Sequence, residues 1–149
     1  MIKKILAATD GSPVSRKAVA FAADLAAQLK ATLTLLGVID SSYLFATGMP
    51  PTVSPTDIRE STEDLLRQAT EAYLDEALTE CGNRELSVSK IVRTGHPVEE
   101  IVKAAEAEQA DLVVVGSHGR SAIKAAVLGS VAYGVVHKDA KVPVLVVRR

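Results

Sequence analysis

The stretch Asp111–Gly119 reads DLVVVGSHG, an unbroken apolar run that passes directly into a glycine turn. Such a run is typical of a strand that is covered on both faces, as in a parallel sheet, and it predicts a strand over 111–115. Similar apolar runs predict four more strands, at 2–9, 32–39, 86–92 and 142–147.

Stretches with helical spacing separate these runs. The first helix is predicted to begin at Pro13, because Ser12 is a good N-cap and proline suits the first helical position. Further helices are predicted over 56–81, 98–105 and 130–137. Strands that alternate with helices predict an α/β fold, in which a mostly parallel sheet is covered by helices.

The segment 40–55 is the longest irregular piece of the chain and is rich in proline and small residues. A loop of this length in a compact domain is usually functional or mobile. We therefore expect it to be mobile without a ligand and to fold toward one that binds. Gly48 and Met49 lie at its centre.

Composition limits the classes of function. With 149 residues, 48% of them apolar and 23% charged, the chain suits one soluble domain. A net charge of −1 argues against nucleic-acid binding, which needs a basic surplus. The single cysteine, Cys81, allows no internal disulfide and favours a reducing, cytoplasmic location. No apolar run is long enough to span a membrane, and the first one ends too early, at Asp10, for a signal peptide.

In an open parallel sheet, ligands bind beyond the carboxyl ends of the strands, where the strand order reverses. The residues that follow the strands are therefore the candidates for a site. They are Thr9, Asp10, Gly11 and Ser12 after the first strand, Val38, Ile39 and Asp40 at the end of the second, and Gly116, Ser117, His118, Gly119 and Arg120 after the fourth.

Two glycine turns in this set have the composition of a phosphate cradle. Gly116-Ser117-His118-Gly119 leaves a buried strand, and Gly129-Ser130 stands at a predicted helix start. Glycine permits a positive φ and lets backbone N–H groups approach phosphate oxygens. The helix start adds free N–H groups and a positive dipole end, and the Ser130 hydroxyl could cap the helix or donate to a phosphate. Neither a P-loop nor a dinucleotide fingerprint is present.

The complete spacing G-x2-G-x9-G-[ST], at Gly116, Gly119, Gly129 and Ser130, resembles the nucleotide-binding branch of the universal stress protein family. The opening KKILAATDGSPVSRKAVAFA and the closing VPVLVV are similar to the same family, so the resemblance covers one domain over 1–149. It implies a single Rossmann-like domain, similar to the adenine nucleotide alpha hydrolases, with a five-stranded parallel sheet in the order 3-2-1-4-5.

The resemblance also implies an ATP site. The adenine would contact the backbone of Val38 and Ile39, and Asp10 would lie near the ribose or the metal-bearing phosphates. Mg²⁺ or Mn²⁺ would be carried on the phosphates, with no protein ligand beyond Asp10. The implied nucleotide-binding set is Ala8, Thr9, Asp10, Val38, Ile39, Gly116, Ser117, His118, Gly119, Arg120, Gly129, Ser130 and Val131. Ala8 departs from the family, in which proline is common at that position.

Several of these residues have a second interpretation. Asp10 could cap the first helix together with Ser12. His118 could donate to a phosphate, although a histidine in a glycine loop is more often a solvated turn residue. Arg120 could reach a γ-phosphate or lie on the surface. Ser12 has no paired histidine, so no catalytic triad is predicted and no catalytic residue is assigned.

Three functions remain open. The leading one is an ATP-binding regulatory or stress-response protein, at most a weak ATPase. The second is an adenylating enzyme of the related α/β group, although such enzymes use a loop after the first strand that is richer in serine and glycine. The third is an interaction module of the same family that binds no nucleotide.

The order 3-2-1-4-5 would place the fifth strand at an edge of the sheet. That strand is long and almost wholly apolar, and the unpaired backbone groups of such an edge invite another chain. We therefore expect a homodimer in which two edges meet across a two-fold axis. The interface would consist of Val142, Val144, Leu145, Val146 and Val147.

Overall fold

Strands and helices alternate along the chain in the computed structural model, which describes residues 1–45, 55–119, 128–138 and 141–148. The strands are β1 (Lys4–Ala8), β2 (Thr32–Asp40), β3 (Val88–Gly95), β4 (Leu112–Gly116) and β5 (Val144–Val147). The helices are α1 (Pro13–Leu29), α2 (Ser42–Phe45), α3 (Pro55–Cys81), α4 (Pro97–Ala107) and α5 (Ser130–His137).

The five strands form one parallel sheet in the order β3-β2-β1-β4-β5, as predicted. Because successive side chains of a strand point to opposite faces, each inner strand contributes to two cores. Ile5 of β1 belongs to the core beneath α1 and α3, and its neighbour Leu6 belongs to the core beneath α4 and α5. The same alternation in β4 explains why its sequence is apolar at every position.

The start of α1 has the predicted form. Ser12 is the N-cap, its Oγ accepts from the Ser15 N–H at 3.4 Å, and Pro13 opens the helix. The buried face of α1 is made largely of alanines, including Ala18, Ala22 and Ala26. Small side chains let this helix approach the sheet closely, and its first turn is thereby held against the end of β4.

Most element boundaries differ from the prediction by one or two residues, and β3, β5 and the predicted loop show the differences most clearly. β3 begins two residues later than expected and continues to Gly95, because β2 extends to Asp40 and pairs with it over its whole length. β5 has only four residues, since Val142 and Pro143 precede it. The segment predicted to be a loop contains the short helix α2, and the remainder of it, 46–54, lies outside the described residues.

Asp111 ties the chain before β1 to the start of β4. Its Oδ2 accepts the backbone N–H groups of Lys3 at 2.8 Å and Lys4 at 3.0 Å, and these bonds lower the pKa of its carboxyl group. A carboxyl group with a lowered pKa contributes stability above its unfolded pKa of about 3.9. That contribution is lost as the pH falls through the lowered, folded value.

We expect Asp111→Ala to unfold at a lower urea concentration than the wild type at pH 7. The difference between the two midpoints should shrink as the pH falls below about 4, where the wild-type carboxylate takes up a proton. Urea titrations at pH 7, 4 and 3 measure it. A difference that stays constant over this range would show that the carboxylate charge makes no contribution.

Candidate functional site

The order of the strands reverses between β1 and β4. From β1 the chain proceeds to β2 and β3 on one side of the sheet, and it then crosses to β4 and β5 on the other side. The carboxyl ends of β1 and β4 therefore flank a switch point, where open α/β sheets bind ligands. The turns that follow these two strands contain most of the sequence-predicted site residues.

The turn after β1 is held by its own side chains. The Thr9 hydroxyl is buried, bonds the Ser15 hydroxyl at 2.9 Å and accepts the Gly11 N–H at 3.2 Å. Asp10 Oδ1 accepts the Ser12 N–H at 2.9 Å. Gly11 has a φ of +78°, which favours glycine. These bonds fix the Asp10 carboxylate at the carboxyl end of the central strand.

The turn after β4 packs closely on the turn after β1. A methyl group built on Gly116 would lie 3.2 Å from the backbone nitrogen of Ser15. One built on Gly119 would lie 2.6 Å from Asp10 Oδ2. The two predicted site segments therefore meet across the switch point, and the glycines allow them to do so.

The second glycine turn meets the first, as the spacing indicated. The Gly129 N–H donates to the Ser117 carbonyl oxygen at 2.7 Å, and a methyl group on Gly129 would lie 2.9 Å from that oxygen. Gly129 is the N-cap of α5 and offers no capping side chain. Ser130 is therefore the first helical residue rather than the cap. It and Val131 are exposed at the helix start.

The role of these glycines differs from the expectation. Gly129 has a φ of −62°, and the φ values of Gly116 and Gly119 also lie outside the left-handed region. The sequence suggested that the glycines supply positive φ angles. In the structure a Cβ atom would instead clash with a backbone oxygen at Gly129, meet the Asp10 carboxylate at Gly119 and lie in tight contact with the start of α1 at Gly116.

His118 is buried, so the expectation of a solvated turn residue is wrong. Its Nδ1 lies 2.8 Å from the hydroxyl oxygen of Ser117, which is also buried. The Ser117 N–H donates to the Val147 carbonyl oxygen at 2.8 Å. Ser117 and His118 therefore hold the glycine turn against the end of β5. Arg120, the next residue of the predicted set, lies outside the described residues.

β2 extends beyond β1 and presents backbone groups to the crevice. Thr32 donates to the Lys3 carbonyl and the Leu36 carbonyl accepts from Thr9, so the even-numbered residues of β2 face β1. Val38 is the next even-numbered residue of β2, and it lies beyond the last register pair between the two strands, Ala8 and Leu36. Its N–H and C=O consequently point toward the switch point. Ile39 directs its backbone to β3, and its side chain is buried.

Sequence reasoning missed a residue of α3 that contacts this region. A methyl group on Gly11 would lie 3.0 Å from Cγ of Tyr73, and one on Gly37 would lie 3.1 Å from its hydroxyl oxygen. Tyr73 lies within the helix predicted over 56–81, but the sequence gives no indication of its neighbours in the fold. No local signal could reveal them, because the contacts join residues that are far apart in the sequence.

Other features of the described residues lie away from this site. A groove of about 240 Å³ at the amino ends of the strands is lined by residues that include Lys4, Thr32 and Glu108. In the described part of the chain, no three histidine, cysteine or acidic residues are grouped as they would be around a metal ion. The helices described there include none with the length and apolar character of a membrane span.

Comparisons with known proteins agree with the fold and identify the family. The model of the universal stress protein family matches residues 1–148. Universal stress protein MJ0531 of Methanocaldococcus jannaschii is 33% identical over 149 residues, which cover 100% of this chain and 84% of that protein. Universal stress protein MJ0577 of the same organism is 33% identical over 157 residues, covering 100% of this chain and 96% of that protein.

Solved structures extend the comparison. The structure of MJ0577 superposes with a TM-score of 0.86 at 31% identity, covering 100% of this chain and 97% of that one. A universal stress protein in complex with cAMP superposes with a TM-score of 0.72 at 26% identity, covering 99% and 97% of the two chains.

Proposed function

Because the chain belongs to the universal stress protein family, we propose that it is an ATP-binding member with a regulatory role in the stress response. ATP would lie in the crevice beyond the carboxyl ends of β1, β2 and β4. The observation that carries the proposal is the meeting of the two glycine turns, joined by the bond from Gly129 to Ser117. The relative in complex with cAMP supports an adenine nucleotide as the ligand class.

The start of α5 is the proposed phosphate-binding end. A helix N-terminus offers free N–H groups and a positive dipole end to an anion. At Gly129 no side chain competes for these groups, and Ser130 adds an exposed hydroxyl. Gly119, on the other side of the cradle, is exposed beside the Asp10 carboxylate. A divalent cation carried on the phosphates would find an oxygen ligand in that carboxylate.

The adenine-binding end is proposed at Val38. Adenine presents an amino donor beside ring-nitrogen acceptors, and one residue of an extended strand offers a matching N–H and C=O. Val38 directs both groups toward the switch point, whereas Ile39 directs its own toward β3. We therefore assign the base contact to the backbone of Val38. Ile39, the neighbour in the predicted set, contributes packing.

The adenylating enzyme is the weaker alternative. It requires hydroxyl and N–H groups after β1 that are available to phosphates. In this chain the Thr9 hydroxyl bonds Ser15 and the Ser12 hydroxyl caps α1. The hydroxyl groups of the turn after β1 thus form hydrogen bonds within the protein. This observation favours a protein that binds the nucleotide over one that activates a substrate with it.

Isothermal titration calorimetry with ATP and magnesium tests the proposal. We expect micromolar affinity, equivalent to roughly −7 to −9 kcal/mol. Chromatography of the supernatant after denaturation would identify any nucleotide that co-purifies. If no heat is observed and no nucleotide is released, the interaction module that binds no nucleotide becomes the better interpretation.

Hydrolysis of bound ATP is expected to be slower than about one turnover per second, a low value for enzymes. Phosphoryl transfer needs charge neutralisation and a positioned water. The carboxylate that the described structure brings to the glycine turns is that of Asp10, which already accepts a hydrogen bond from Ser12. Release of phosphate under saturating Mg-ATP measures the rate, and faster turnover would make the protein an enzyme.

We also propose that the protein acts in the cytoplasm as a homodimer joined through β5. This strand is an edge of the sheet, and the side chains of Val144, Leu145, Val146 and Val147 are all half-buried in the single chain. Val142 lies before the strand and would flank the interface.

A further inference from the structure

We propose that Tyr73 is a positioning residue that sets the distance between the adenine-binding and phosphate-binding ends of the site. The inference rests on the proposed ATP site and adds to it a residue that lies behind both ends. Tyr73 belongs to α3, which contributes no residue to the glycine motif. Its aromatic ring and its hydroxyl group contact different segments of the site.

The ring supports the turn after β1. A methyl group built on Gly11 would lie 3.0 Å from Cγ, 3.1 Å from Cβ and 3.1 Å from Cδ1 of Tyr73. The ring therefore packs directly on the backbone of Gly11. Gly11 is the residue after Asp10 and has a left-handed φ of +78°. Removing the ring would leave a space into which this turn could shift.

The hydroxyl end of the same side chain lies beside β2. A methyl group on Gly37 would lie 3.1 Å from the Tyr73 oxygen and 2.5 Å from Cγ2 of Thr70, one turn earlier on α3. Gly37 directly precedes Val38, whose backbone is the proposed adenine contact. α3 thus packs against the strand next to one end of the site and against the turn at the other end.

A ligand that spans two subsites is sensitive to the distance between them. ATP must meet Val38 and Asp10 at once, whereas adenosine and inorganic tripolyphosphate each need only one end. The advantage of joining two ligand halves depends on geometry that permits both contacts together. Replacing a residue that sets this geometry should therefore lower the affinity for ATP much more than the affinity for adenosine or for tripolyphosphate.

The test compares Tyr73→Leu and Tyr73→Phe with the wild type, using ATP, adenosine and tripolyphosphate as ligands in calorimetry and in NMR titrations. For Tyr73→Leu we expect the ATP affinity to fall by about 10- to 100-fold, and the affinity for each half to change by less than about 3-fold. Tyr73→Phe retains the ring, so its affinity for ATP should be closer to that of the wild type than to that of Tyr73→Leu.

Leu78→Ala is the matched control. Leu78 is on the same helix and is half-buried against the same core, so its truncation weakens α3 without touching Gly11 or Gly37. It should lower stability and leave the ratio of ATP affinity to the affinities for the halves unchanged. A parallel loss for all three ligands in Tyr73→Leu, or no loss of ATP affinity, would overturn the inference.

Hydrogen exchange in the ligand-free proteins supplies a readout that is independent of affinity. In Tyr73→Leu, the Gly11 amide, which donates to the Thr9 hydroxyl, and the Gly37 amide, which lies in the ladder between β2 and β3, should exchange faster, while the amides of β4 keep their wild-type rates. Unchanged exchange at both amides would also overturn the inference. Failure of the wild type to bind ATP would refute the proposed function and would leave this structural result standing.

Discussion

Gly129→Val is expected to lower the affinity for ATP by at least about 100-fold, or roughly 2.7 kcal/mol. A methyl group at Gly129 would lie 2.9 Å from the Ser117 carbonyl oxygen and 3.1 Å from Cα of His118. Both are backbone atoms, which cannot move aside as the end of a flexible side chain can. Valine adds a branched side chain to the same clash, so the two glycine turns must separate.

Separation of the turns removes the feature on which the phosphate site depends. The bond from the Gly129 N–H to the Ser117 carbonyl is 2.7 Å long and must break or lengthen. The start of α5 then points away from the Asp10 side of the cradle. Overpacking of this kind costs about 1–3 kcal/mol of stability, so the sheet should remain folded with a lowered melting temperature.

Calorimetry with Mg-ATP measures the loss, and circular dichroism checks the fold. Gly82→Val is the matched control, because Gly82 follows α3 and lies outside the glycine turns. A methyl group there would lie 3.2 Å from the Thr79 carbonyl oxygen and 3.8 Å from that of Leu78, with no contact closer than 3.0 Å. This variant should bind ATP as the wild type does. A folded Gly129→Val protein with wild-type affinity would place the nucleotide elsewhere.

The parts of the fold that the sequence predicted correctly are those with local signals. The boundaries of α5, 130–137, and the start of α1 at Pro13 agree with the structure. In both places the N-cap residue, Ser12 before α1 and Gly129 before α5, marks the boundary. The continuous apolar run of β4 likewise identified an inner strand, because each of its side chains enters one of two cores.

The parts that differ depend on partners that are distant in the sequence. β3 continues to Gly95 because β2 pairs with it up to Asp40, and the sequence of β3 alone does not contain that information. His118 is buried because Ser117 and the end of β5 hold its turn against the sheet. A histidine between glycines has no local feature that distinguishes this case from a solvated turn.

The glycines of the motif illustrate a further limit. Their spacing indicated convergence, and the contact between Gly129 and Ser117 agrees with it. The reason for glycine at these positions was not predictable. At Gly119, for example, the atom that a Cβ would meet first is Oδ2 of Asp10, which is distant in the sequence. Close approach between segments is a property of the folded chain. The sequence shows only its result, which is a glycine at each of these positions.

Val146→Pro is expected to convert the proposed homodimer into a monomer. Val113 donates to the Pro143 carbonyl and Ser117 donates to the Val147 carbonyl, so the odd-numbered residues of this segment face β4. The N–H and C=O groups of Val144 and Val146 consequently point out of the open edge. These are the groups that a second copy of the strand would meet across a two-fold axis.

Proline at 146 removes only an outward N–H group and leaves the bonds to β4 in place. Edge strands tolerate proline where the missing N–H faces outward. In a two-fold dimer the loss occurs twice, once in each copy. Each partner carbonyl left buried without a donor costs about 1–3 kcal/mol, so the dissociation constant should rise by at least about 30-fold.

Light scattering and sedimentation at low micromolar concentration measure the mass of each protein. The wild type should have twice the chain mass of 15.7 kDa, and Val146→Pro should have the mass of one chain. Val146→Thr is the matched control, because threonine has nearly the shape of valine and keeps the outward N–H, and it should remain a dimer. A wild type that is monomeric, or a proline variant that is fully dimeric, would contradict pairing through the edge of β5.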